Sequence, residues 1–190
     1  PWECLKRERP YAIVTNNAVA ISIGDMVETA GAAVLTQLHG NLLMIITEET
    51  GAAGSIVGVV TQLLDSDGYP VDYIAASTTG NSVIAGYALV ADHPDQTFKV
   101  QEDGDTSSIQ VADIGLNADM ISTQTATESN GYLSKMELDS DTVATTATLA
   151  LKVWGVHPDD TISAAGAAGN HCRFLVKINT HFHGDGIVGV

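Results

Sequence analysis

The residues whose spacing suggests chemistry most directly lie in Asn179–Gly186, which reads N-T-H-F-H-G-D-G. His181 and His183 sit one residue apart and are followed by Asp185, one position short of the H-x-H-x-D-H signature of dinuclear zinc hydrolases. In such a site the histidines hold one zinc and the aspartate a second. The metals then lower the pKa of a bridging water and supply hydroxide near neutral pH. Here the sixth position is Gly186, and His39, His93, His157 and His171 are scattered with no paired spacing. The near-match therefore reads as accidental, and the expectation is no metal, no cofactor and no catalysis.

Three other patterns lead to the same expectation. Cys4 and Cys172 form neither a disulfide framework nor a C-x-x-C metal pair, so reduced thiols are expected. Cys172 follows His171, but neighbours on a strand point to opposite faces, which separates a thiol from its base. Asp65-Ser66-Asp67-Gly68 and Asp103-Gly104-Asp105 each pair two carboxylates, without the twelve-residue loop and closing glutamate of a calcium hand. Turn chemistry accounts for both. Gly51–Gly54 and Ala164–Gly169 lack the lysine and hydroxyl residue of a phosphate loop and read as flexible connections.

Composition sets the frame for these residues. The chain has 190 residues, 45% hydrophobic but only 5% aromatic, and 16% charged. Its surface must be finished with Thr, Ser, Asn, Gln and Gly, which suits sheets and loops. A net charge of −15 argues against nucleic-acid partners, whose affinity rests on a basic footprint. No apolar run is long enough to span a membrane, and the first residues lack the apolar core of a signal peptide, so folding in a cytoplasm is expected. The basic residues Lys6, Arg7 and Arg9 cluster beside Trp2 and Leu5, giving a short basic arm over residues 1–10 on an acidic body.

From Tyr11 onward the pattern predicts an all-β chain, mainly β with one short helix. Asn16-Asn17 between short apolar runs predicts a tight hairpin, since asparagine tolerates positive φ. Further strands are expected at Ala33–Leu38, Leu42–Thr47, Ser55–Leu64 and Tyr69–Ile74. Asp65–Gly68 should turn the last two into a hairpin. So many short strands in residues 11–76 predict a small β-barrel or sandwich, which hides strand edges. A linker at Ala76–Asn81 then leads to a second, sandwich-like β domain over 77–190. It should hold strands at Ser82–Val90, Gln96–Gln101, Thr142–Trp154 and Arg173–Asn179, with a short helix near 108–120. Trp154, within a long strand, reads as a core or oligomer-interface residue.

Several segments, taken in order, resemble the head decoration (cement) proteins of tailed bacteriophages. They are Ala76–Gly104 with its Tyr87, Asp92, Pro94, Phe98, Val100 and Gln101; Ala112–Asp119; Met136–Asp139 with Thr145–Leu151; and Leu175–Asn179 with His181. The likeness covers most of the chain from about residue 54. It implies a non-enzymatic virion protein on the outer surface of an icosahedral capsid, made in the host bacterial cytoplasm. Its implied partners are the major capsid protein and copies of itself in a homotrimer. The arm residues Trp2, Leu5, Lys6, Arg7 and Arg9 would then contact the capsid, and Trp154 the core or the oligomer interface. A host- or glycan-binding module on the virion is the alternative.

Overall fold

The computed structural model describes residues 8–30, 36–38, 41–49, 56–77, 84–105, 108–122, 134–160 and 171–184. Among them the chain is all-β. Its strands are β1 (Glu8–Val14), β2 (Ile21–Ser22), β3 (Met26–Thr29), β4 (Thr36–Leu38), β5 (Asn41–Leu43), β6 (Ile46–Glu48), β7 (Ile56–Asp65), β8 (Pro70–Val71), β9 (Tyr73–Ile74), β10 (Ile84–Ala91), β11 (Thr97–Gln101), β12 (Asn117–Ser122), β13 (Met136–Ala144), β14 (Leu151–Val156) and β15 (Arg173–Ile178). Their ladders are antiparallel. Two compact units result. One is Pro1–Glu49, Ile56–His93 and Gln124–Lys135; the other is Thr50–Ser55, Pro94–Thr123 and Met136–Val190.

The first unit is built on a sheet of order β1-β10-β7-β3-β6, with β8 added against β7 and small β2-β9 and β4-β5 ladders beside it. β1 is buried on both faces from Tyr11 onward. Tyr11 and Ile13 join Ile21, Val27, Leu63 and Val90 in one apolar cluster, while Ala12 and Val14 join Leu43, Ile45 and Tyr87 in another. Such large aliphatic side chains each contribute about 1.5–3 kcal/mol by leaving water. Two of the polar groups drawn inside have clear partners. The Tyr11 hydroxyl donates to Asp92 at 2.7 Å, and Asp25 accepts from the Ser22 amide at 2.6 Å in the turn between β2 and β3. At Gly86 an added Cβ would lie 2.4 Å from the Leu64 carbonyl oxygen, so only glycine lets β10 approach β7 there.

The second unit is a sheet of order β11-β15-β14-β12-β13. Phe174, Val176 and Ile178 alternate inward along β15 beside Leu151 and Val153 of β14, and Leu138 of β13 is buried as well. Asn179 donates to the carbonyls of Ala147 and Leu149 and ties down the β13–β14 connection. The edge strands meet at one parallel bridge, Glu102 to Leu138, without closing a barrel. Gly104 sits in the left-handed region at φ 71°, and a Cβ there would lie 2.2 Å from the His171 ring.

Several expectations need correction. The 76/77 boundary moves, because β10 pairs with β1 and β7 and so belongs to the first unit. Neither unit closes as a barrel. The helix expected near 108–120 reduces to one 3-10 turn at Val111–Asp113. Gly115 adopts φ 97° and the chain enters β12 two residues later. The long strand Thr142–Trp154 is two strands, since β13 ends at Ala144 and β14 begins at Leu151. The Asn16-Asn17 hairpin does not form. The chain does turn there, with the Asn17 amide donating to Val14, but β1 pairs with β10 and β2 with β9. Glu8–Pro10 belong to β1 rather than to an arm. The Asp65–Gly68 hairpin forms as expected, joining β7 to β8, with the Asp65 carboxylate accepting from the amides of Asp67 and Tyr69.

Candidate functional site

A concave feature of the second unit lies beside β14 and β15. In their ladder Lys152 pairs with Lys177 and Val153 with Val176, but the next pair is Gly155 with Leu175. Trp154 is the skipped residue of a β-bulge, a device that re-aims a side chain. Its indole is 55% exposed, while Leu151 and Val153 on either side of Lys152 are buried. A Cβ at Gly155 would meet no atom within 4 Å. Trp154 is thus not packed in the core, which corrects the core half of the core-or-interface reading.

Lys177 holds its ammonium 4.6 Å from the centre of the indole, a cation–π contact, and 3.8 Å from the Asp95 carboxylate. Lys152 stands directly across the ladder and has no ion pair among the described residues. These groups, with Pro94, Ile178, Asn179, His181 and Gly184, line a cleft of about 510 Å³. That is within the range of small-ligand sites.

The histidine motif lands at one end of this cleft. His181 is buried, and its Nδ1 accepts from the His183 amide at 2.9 Å, so the pair makes a local turn. Asp185 lies outside the described residues. Among those residues no group of three or more His, Cys, Asp and Glu is placed to hold a metal. Cys172 is buried in the reduced form, and Cys4 lies outside the described residues.

The two acidic turns behave differently from each other. Asp65–Gly68 closes a hairpin. Asp103 and Asp105 both accept from the Ser140 hydroxyl, at 3.0 and 3.1 Å, bringing that turn against Asp139. Burial, with its acidic neighbours Asp103, Asp141 and Asp105, raises the Asp139 pKa above the ordinary carboxylate value. Burial likewise raises Glu102, whose carboxylate accepts from the His171 amide at 2.8 Å. Asp160 is the reverse case. Hydrogen bonds from the Arg173 guanidinium and amide hold its pKa down at about 2.

Of the expected arm residues, Trp2, Leu5, Lys6 and Arg7 lie outside the described residues. Arg9 is in β1, with its guanidinium 3.5 Å from Asp92, across the first unit's edge rather than in a free extension. The residues that sequence reasoning passed over are Lys152, Lys177, Pro94 and Asp95. The K-V-W run at 152–154 hinted at an outward Lys and Trp. The pairing register, which sets Lys152 against Lys177, leaves no local trace in sequence.

No protein family, curated protein or solved structure matches the chain.

Proposed function

We propose that the chain is a structural protein that decorates and stabilises the icosahedral capsid of a tailed bacteriophage, bridging neighbouring major capsid subunits from the outside. One observation carries this reading. The segments that resemble the decoration proteins are dispersed in sequence, yet Thr97–Gln101, Asn117–Asp119, Met136–Asp139, Leu151 and Leu175–Ile178 come together as neighbours in one antiparallel sheet. The meeting of these segments in one sheet supports the reading, while Tyr87 and Asp92 of the first segment lie in the first unit.

On this reading the protein acts by contact area and makes or breaks no bonds. Its acidic surface keeps the decorated particle soluble. Trp2, Leu5, Lys6, Arg7 and Arg9 supply apolar anchors and positive charge toward the major capsid protein. Association as a homotrimer multiplies a weak contact through effective concentration. Deleting residues 1–7, which leaves β1 whole, should lower occupancy on purified expanded heads while shifting the melting temperature of the free protein little. Equal loss in both measurements would refute the role of these residues.

The alternative, a host- or glycan-binding module on the virion, is favoured by the Trp154 cleft. A half-exposed indole flanked by two lysines and a carboxylate is the chemistry of a polar ligand with one flat apolar face.

A further inference from the structure

We infer that the Trp154 cleft binds carboxylate-bearing sugar units, the uronic-acid residues of an acidic polysaccharide; this rests on the glycan-binding reading and names its ligand class. The lysines come first. Like charges directly opposite across a ladder oppose sheet formation, and Lys152 and Lys177 are direct partners. Lys177 is drawn between the indole and Asp95. Lys152 has no ion pair among the described residues, and it lines the cleft. An incoming carboxylate beside Lys152 relieves the repulsion that the fold itself builds.

Charge also limits what the ligand can be. The chain carries 8 basic against 23 acidic residues, so a densely charged polyanion meets a repelling body. A short acidic oligosaccharide, or a chain whose uronic acids are spaced by neutral sugars, presents few charges at once to the two lysines of the recess. The indole supplies the second criterion, because the C–H face of a pyranose ring lies flat against an aromatic face. An acidic peptide has carboxylates but no such rigid face. Asp95, 82% exposed and 3.8 Å from the Lys177 ammonium, gives an acceptor next to a donor, the pairing that neighbouring sugar hydroxyls use. A volume of about 510 Å³ suits a short oligosaccharide.

The test uses the full chain carrying Trp2→Phe, which leaves Trp154 as the one tryptophan of two that reports. Its fluorescence is followed against galacturonic acid trimer, the methyl ester of that trimer, and a glutamate-rich peptide. The expected result is a saturable change with the acid trimer and at least about tenfold weaker binding of the ester and the peptide. Lys152→Glu should weaken the acid trimer by at least about tenfold, and Lys99→Glu, on β11 of the same sheet but outside the cleft, should leave it unchanged. Circular dichroism checks that each variant is folded. Equal binding of ester and acid overturns the acidic-sugar inference and leaves the glycan-binding reading standing. Equal binding of the peptide overturns the sugar class. No saturable change with either sugar up to about 10 mM overturns both.

Discussion

The two units are made of the same antiparallel ladders, yet they use their strand faces differently. In the first, β1 is buried on both sides from Tyr11 onward, and the buried Asp92 accepts from the Tyr11 hydroxyl. In the second, β14 and β15 bury one face only. The other face carries Lys152, Trp154 and Lys177. A strand packed on both sides has its residue types dictated by packing. A strand packed on one side has alternate positions free to meet a ligand or partner, and the cleft is found there.

The contrast can be broken at its strongest point first. Ile13→Ala, at a fully buried position of β1, should lower unfolding free energy by about 2–5 kcal/mol, read from urea denaturation. A loss no larger than that of an exposed residue would mean that β1 is not the packed element described here. Next, Gly104→Ala should cost about 1–3 kcal/mol, because it places a methyl group against His171 on a left-handed backbone. Melting curves of the two proteins measure it.

The pH response sharpens the comparison, because each unit holds a raised carboxylate: Asp25 in the first and Glu102 in the second, both raised chiefly by burial. The folded state holds these protons to higher pH than the unfolded state. Their contribution is therefore full below the ordinary carboxylate range near 4 and is lost as pH rises through the folded values. The thermal midpoint should rise on mild acidification from neutral pH, and Asp25→Asn should remove part of that rise. Asp160 acts in the opposite sense, since its contribution is present above its ordinary value and lost as pH falls toward about 2. Among these changes the smallest effect on stability should be that of Trp154→Ala, within about 0.5 kcal/mol by the same denaturation measurement. A loss comparable to Ile13→Ala would erase the distinction between the two kinds of strand.

What could be seen in the sequence followed from local rules. Alternation marks Thr97–Gln101 and Arg173–Asn179, and both are strands, β11 and β15. Asp-Gly after a β-branched run marks the β7–β8 hairpin, because the Asp65 side chain itself closes the turn. What could not be seen depends on partners far away. β1 finds β10 rather than the next strand, since burying both its faces requires a partner that the Asn16-Asn17 turn cannot deliver. The helical spacing around Ile109–Leu116 yields to Gly115 and to the place that β14 offers β12 in the sheet. Trp154 in a β-branched strand resembles a core residue, yet alternation with buried Leu151 and Val153 sets it on the outer face with Lys152. The cleft was invisible because its lysines lie 25 positions apart in sequence and meet only through register.

The placement of β10 also bears on how the polypeptide emerges during synthesis. β1 has no ladder to join until residue 91 has been made, and Asp25 receives its hydrogen bond from Ser134 later still, when the chain returns to the first unit. By then β11 and β12 have already left the ribosome. The first strand thus waits on β10, and one side-chain hydrogen bond of the first unit waits on Ser134. Pairings of such long sequence separation form slowly and leave β-rich segments exposed in the interval, so the yield of native protein should depend on holding the nascent chain apart from its neighbours until translation is well past its midpoint.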